Sequence, residues 1–304
     1  MNKLRMLLAT DYSAASINAG CYALGIAKEI EAELILTHAY IMSMGSIPVD
    51  AKEFAKARAQ IKNRELRALE QQKNELLQEC NVSEQDIDVT CIIHETGIGV
   101  SIQEEISNHK PDIVIAGTHG HGMNRIKFFG NNAWDIIKHS SVPVLLVPPN
   151  VKFHNITRIV IAVEGRENEI KSINSLTKIA GLLNAEIIVL HISSKVLSND
   201  LEHTMFEKFR IEVFKNVMYS KLSVQLAVYD NLLEGLNNYC EKINANWLVM
   251  SPDRNSIFRN IFMPFKSATK KMSSKTQIPL LALPAYQEKE EQHIMNVEAR
   301  HPNL

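Results

Sequence analysis

DIVIAGTHGHGMNRIKFFGNNAWDIIKHSSVPVLLVP, residues Asp112 to Pro148, carries the pattern from which the fold is read. Its β-branched run Ile113–Ile115 predicts a buried parallel strand. Gly117, Gly120 and Gly122 follow, then a basic and aromatic loop with Arg125, Lys127, Phe128 and Phe129, then Gly130. A helix is predicted from about Asn131 to near Ser140, and an apolar strand over Val142–Val147. A glycine loop that leaves a strand and enters a helix suits an anion. Backbone N–H groups approach closely where no Cβ intervenes, and the helix N-terminus adds partial positive charge.

Outward from this stretch the chain alternates. Leu4–Thr10 reads as a short strand ending at Asp11, Ser16–Ile30 as a helix by apolar spacing, and Leu34–Ala39 as a second strand containing His38. Residues 52–79 read as a long charged helix, Ile87–Ile93 as a third strand, and Gly97 and Gly99 lead into a helix from about Val100. Strand–helix alternation of this kind predicts a parallel sheet covered by helices on both faces. Ligands of such sheets sit beyond the carboxyl ends of the strands, near the point where strand order reverses. Asp11, Ala39 and the Gly117 loop all fall at those ends.

The second half repeats the first. At an offset of 153 (164 − 11), Glu164 answers Asp11 and His191 answers His38, and LLATD and EAELILTHA meet VIAVE and NAEIIVLHI without a gap. The ends match at an offset of 136 (279 − 143), SSVPVLLVP against TQIPLLALP, so 17 residues are missing from the middle of the second copy. Leu201–Val217 is the shortened counterpart of the long helix. Tandem duplication follows from this self-similarity. The expected organisation is residues 1–150 as a first domain, 151–286 as a second and 287–304 as a polar tail. Each domain is an α/β, doubly wound unit with a five-stranded parallel sheet.

With 304 residues, 45% hydrophobic and 22% charged, the composition is that of an ordinary globular protein with room for two domains. A net charge of −1 provides no field that favours nucleic acid or an anionic membrane, and no apolar run reaches the ~20 residues that span a bilayer. The apolar run at the N-terminus stops at Asp11, as a strand would and a signal peptide would not. Cys21, Cys80, Cys91 and Cys240 show no zinc or redox spacing, so reduced thiols and a cytoplasmic location are expected.

The glycine spacing, Gly117, two residues, Gly120, nine residues, Gly130, resembles the nucleotide-binding signature of the universal stress proteins, as do GTHGHG and SSVPVLLVP. The resemblance implies that Ala9, Thr10, Asp11 and Ala39 line the adenosine part of a nucleotide, with Asp11 bonding the ribose or base edge. It further implies that Ala116, Gly117, His119, Gly120, Gly130, Asn131, Asn132 and Ala133 surround the phosphates, with Arg125 either folding over them or lying in solvent. The cofactor implied is ATP, or AMP or ADP, with or without Mg2+. The partners implied are this adenine nucleotide and a second copy of the chain, or an internal pseudo-dimer of the two domains.

Asn131 departs from the pattern, which carries Ser or Thr there. Its carboxamide can replace the hydroxyl contact, crowd a γ-phosphate, or simply cap the helix. His119 and His121 form an H-x-H with no third ligand, too few for zinc. His38 and His191 read as packing or hydrogen-bonding residues. In the second copy all three glycines are replaced, Pro252 lacks an N–H, and side chains fill the phosphate space, so no nucleotide is expected there. Neither a Walker motif nor a nucleophile elbow nor a metalloprotease motif is present. A stress-response binding module is expected, at most a slow ATPase. The alternatives are a ligand-free interaction scaffold that presents helix 52–79, and an ATP-using enzyme of the same broad fold.

Overall fold

The computed structural model describes residues 3–42, 50–118, 131–193, 200–251 and 278–284. Within them the chain runs β1 (Arg5–Thr10), α1 (Ala14–Ile30), β2 (Glu33–Ala39), α2 (Ala51–Glu79), β3 (Val89–His94), α3 (Ile98–His109), β4 (Ile113–Gly117), α4 (Asn131–His139) and β5 (Val144–Val147). The second half continues with β6 (Arg158–Val163), α5 (Glu169–Leu182), β7 (Glu186–Ser193), α6 (Asp200–Asn216), β8 (Leu222–Val228), α7 (Leu232–Lys242), β9 (Trp247–Met250) and β10 (Leu280–Ala282). The loop after β4, the segment answering it in the second half and the polar tail lie outside the described residues.

Local chemistry sets the element ends. Ser13 caps α1 by accepting from the Ser16 N–H at 3.2 Å, and Asp50 caps α2 by accepting from Lys52 and Glu53. Helix α1 ends on Glu31 and α3 on Lys110, both left-handed, at φ 53° and 49°. Strand β5 begins at Val144 rather than Val142: Pro143 has no N–H to donate, and the Ser140 side chain binds Val142 instead.

The strands form one ten-stranded sheet in the order β3-β2-β1-β4-β5-β10-β9-β6-β7-β8. Within each half all pairings are parallel; β5 and β10 meet antiparallel and join the halves. The expected pair of five-stranded sheets is therefore continuous across one seam. At its centre Leu145 faces Leu281, its own counterpart at the offset of 136, so a local two-fold axis passes through that pair.

The correspondence extends to individual bonds. Arg5 Nε pairs with Glu33 at 3.0 Å, its Nη1 donates to the His109 carbonyl, and its N–H donates to Asp112 Oδ2 at 3.0 Å. Arg158 repeats this with Glu186 at 3.7 Å, the Ile243 carbonyl at 2.7 Å and Asn246 Oδ1 at 2.9 Å. Each arginine ties its first strand to the second strand and to the turn that precedes the fourth. The shortened helix is as expected: α6 has 17 residues where α2 has 29.

Successive residues point to opposite faces of each strand. Leu8, Ile161 and Val249 enter one apolar layer beneath α1, α2, α5 and α6, while Leu7, Val160 and Leu248 enter the other beneath α3, α4 and α7. Both layers run through both halves. Among the described residues, no helix is long and apolar enough to cross a membrane.

Candidate functional site

The chain builds β1, β2 and β3 in one direction, then crosses to place β4 on the other side of β1. Strand order therefore reverses between β1 and β4, and the crevice beyond their carboxyl ends is where α/β sheets bind ligands. Thr10 and Asp11 end one wall, Gly117 and Thr118 the other.

Thr10 is buried, and its hydroxyl meets Ser16 Oγ at 3.1 Å while accepting from the Tyr12 N–H. Asp11 is half-buried; its Oδ1 accepts from the Ser13 N–H at 3.1 Å. One carboxylate oxygen thus holds the turn, and the acid has further acceptor capacity for a ligand hydroxyl. Between them Tyr12 takes φ 62°, a left-handed turn that aims the chain from β1 into α1.

Ala9, Ala116 and Ala133 are buried in the apolar layer that includes α3 and α4. Ala39 ends β2 beside His94. Asn131 opens α4, Asn132 is exposed, and Ala133 packs inward. His119, Gly120, Arg125 and Gly130 lie outside the described residues, as does the side chain of Asn131.

Gly117 has a structural reason of its own. A Cβ there would fall 2.7 Å from the Ala15 carbonyl oxygen and 2.8 Å from its carbon, so the first turn of α1 sits directly on this glycine. The Thr118 N–H is spent on the Val147 carbonyl at 3.1 Å. Gly99, on α3, serves the site indirectly. Its N–H donates to Asp135 Oδ2 at 3.1 Å, and with His139 this pins α4 against α3. The sequence marked Gly99 only as a helix entry.

His38 and His191 are hydrogen-bonding residues, as expected. The Nδ1 atoms bond the Thr10 and Val163 carbonyls at 2.8 and 3.0 Å, one bond at two places 153 residues apart. Each clasps the end of its neighbouring central strand.

In the second half the matching loop is filled from within. Glu169 stands where the first half has Ser16; its carboxylate accepts from the Glu164 N–H at 2.9 Å and the Arg166 N–H at 2.7 Å. Burial pushes the Glu169 carboxyl up, and those main-chain bonds oppose it. Glu164, the counterpart of Asp11, is paired with Arg166 at 2.5 Å.

A cleft of about 650 Å³ opens beside Ala39 at the same end of the sheet, lined among others by Tyr40, Phe54, Arg58, Lys62, His94 and Glu95. The sequence reading passed over His94. Its Nε2 meets buried Glu105 at 2.6 Å and its Nδ1 meets Glu104 at 2.9 Å. Protonated, the imidazole donates from both ring nitrogens, one to each carboxylate. Glu105 first, then Glu104, holds His94 above the usual imidazole range. A raised folded-state value stabilises the chain fully below the unfolded pKa of about 6.5 and ceases to as pH rises through the folded value. The urea midpoint is accordingly expected to fall between pH 6 and pH 9, and His94→Gln to remove much of that fall. An unchanged pH profile in the variant would exclude His94 as its source. Among the described residues no cluster of three or more metal-ligating side chains exists.

The fold is that of a doubly wound α/β protein, a class whose sheets hold ligands beyond the carboxyl ends of their central strands. The family model of the universal stress proteins matches residues 4–148, and through this half the chain belongs to that family. Over nearly its whole length it shares its fold with a universal stress protein from Archaeoglobus fulgidus, at a TM-score of 0.58 and 15% identity, with 93% of this chain and 97% of that chain covered. A putative universal stress protein from Pseudomonas aeruginosa aligns at a TM-score of 0.49 and 14% identity, covering 97% of each chain. A universal stress protein in complex with cAMP aligns over 48% of this chain and 98% of its own, at a TM-score of 0.36 and 20% identity. No curated protein matches the chain significantly.

Proposed function

We propose that the chain is a tandem universal stress protein, divided at about residue 150, whose first half binds ATP or a related adenine nucleotide and whose second half binds none. The observation that carries this is the adjacency of β1 and β4, which brings the Asp11 carboxylate beside the strand that enters the Gly117, Gly120, Gly130 loop. Asp11 takes the ribose hydroxyls or the base edge. Ala39 borders the adenine, and the start of α4, with Asn131, faces the phosphates. Any hydrolysis is slow, because no side chain of the crevice is assigned as a base. The protein acts in the cytoplasm in stress signalling. The antiparallel β5–β10 seam supplies internally the contact that a pair of single-domain chains would make, and two chains pair further.

Glu169 supports the silence of the second half. A carboxylate of the chain itself already occupies the main-chain donors of the turn that answers the Asp11 turn, where the ribose would lie. Mass spectrometry of natively purified protein is expected to find a co-purified adenine nucleotide. Calorimetry then separates the roles. Asp11→Asn keeps an oxygen for Ser13 but removes the charge, and affinity is expected to drop on the order of tenfold. Asn131→Ser is expected to change ATP and AMP affinities unequally. Absence of nucleotide binding by the unaltered chain, or an Asp11→Asn variant that binds as well, overturns the assignment.

A further inference from the structure

We propose that Cys21 and Cys80 form a reversible oxidation site, a thiol pair that closes to a disulfide when the chain meets a hydroperoxide. Cys21 lies on α1 and Cys80 is the residue on which α2 ends. The helices touch one turn away, where a Cβ on Gly20 would fall 2.8 Å from Leu76 Cδ2. Gly20 precedes Cys21, and Leu76 lies one turn before Cys80, whose N–H it holds at 3.0 Å. Close approach at glycine brings the two helices together here, and both cysteines pack against the same apolar layer. Both thiols are partly exposed, and they hydrogen-bond one another. Asn81 follows at φ 51°, so the chain turns away immediately after Cys80 and leaves its sulfur at the edge of the layer.

The pair is also chemically asymmetric. The hydrogen bond from Cys80 draws the Cys21 thiol below its ordinary range, while the same bond and burial push Cys80 up. Burial raises the other two, Cys91 and, to about 12, Cys240, so neither competes as a thiolate. In the first step the Cys21 thiolate attacks the terminal peroxide oxygen, the O–O bond breaks, and the alkoxide (hydroxide, from hydrogen peroxide) leaves and takes up a proton, which gives a sulfenic acid. In the second step the Cys80 sulfur attacks the Cys21 sulfur, the S–O bond breaks, and the Cys80 proton leaves with the hydroxyl as water. Two thiols lose two electrons and the peroxide gains them. An external thiol reverses the change.

The test uses the full chain, reduced, desalted and exposed to hydrogen peroxide. The thiol titre of the denatured protein is expected to fall from four to two and to recover with dithiothreitol. Non-reducing peptide mapping should use a glutamate-specific protease, because no Lys or Arg separates Cys80 from Cys91 whereas Glu84 does. The expected product is one peptide pair joined through Cys21 and Cys80, two hydrogens lighter than its parts. In Cys80→Ser, dimedone is expected to trap a sulfenic acid on Cys21 that the unaltered chain does not accumulate. A titre that stays at four, sulfinic acid without the link, or a bridge through Cys91 would overturn the proposal.

Discussion

Gly117→Ala is expected to destabilise the protein by about 3 kcal/mol, the upper part of the usual cost of one methyl forced into a packed interior. The added carbon would lie 2.7 and 2.8 Å from carbonyl atoms of Ala15 and 3.1 Å from the Ser16 nitrogen. These are main-chain atoms, so no rotamer change relieves the contact and the first turn of α1 must lift from β4. That turn carries Ser13 and Ser16, which hold Asp11 and Thr10 in place. Stability and nucleotide affinity should therefore fall together. Urea unfolding and calorimetry on the same preparation decide the matter. If affinity drops while the midpoint stays put, Gly117 serves the ligand directly and its packing role is refuted.

This glycine shows what the sequence could and could not reveal. Its place after a β-branched strand was legible, because strand period and glycine punctuation are local signals. Its partner was not, since Ala15 lies about a hundred positions earlier and neither residue type announces the contact. The strands, helices and strand-end location of the crevice followed from alternation alone. His38 and His191 were legible for a different reason: a repeat states the same residue twice, and the two histidines make the same bond. Arg5 and Arg158 recur at the same offset, and that signal was overlooked although each ties three elements together. The His94–Glu105 pair gave little warning, because a carboxylate eleven positions away from a histidine is commonplace and nothing in the sequence marks Glu105 as buried. Of the residues proposed to face a phosphate, Gly117 and the start of α4 are described, while His119 to Gly130 are not.

The junction between the halves is the second place where a single side chain should matter greatly. Trp247, on β9, is 1% exposed and donates its Nε1–H to the Tyr22 hydroxyl at 2.9 Å. Tyr22, on α1, is 2% exposed and meets Phe153 edge to face at 5.4 Å. Phe153 in turn lies over Gly25, where a Cβ would fall 2.3 Å from its ring. One residue from each half and one from the connection thus share an aromatic cluster with a buried polar bond inside it. Truncating a buried tryptophan costs about 3–5 kcal/mol, and an orphaned buried hydroxyl adds about 1–3. Trp247→Ala is accordingly expected to cost at least 4 kcal/mol or so by these principles, and Trp247→Phe less. The decisive measurement is a double-mutant cycle of Trp247→Phe with Tyr22→Phe. Once the hydroxyl is gone, the lost donor no longer matters, so the double variant should be more stable than the sum of the single losses predicts, by about 1 kcal/mol. Strict additivity would mean that the bond contributes nothing and that only packing holds this cluster together. A biphasic unfolding curve in Trp247→Ala, against a single transition in the unaltered chain, would locate the cooperativity of the whole molecule in this cluster.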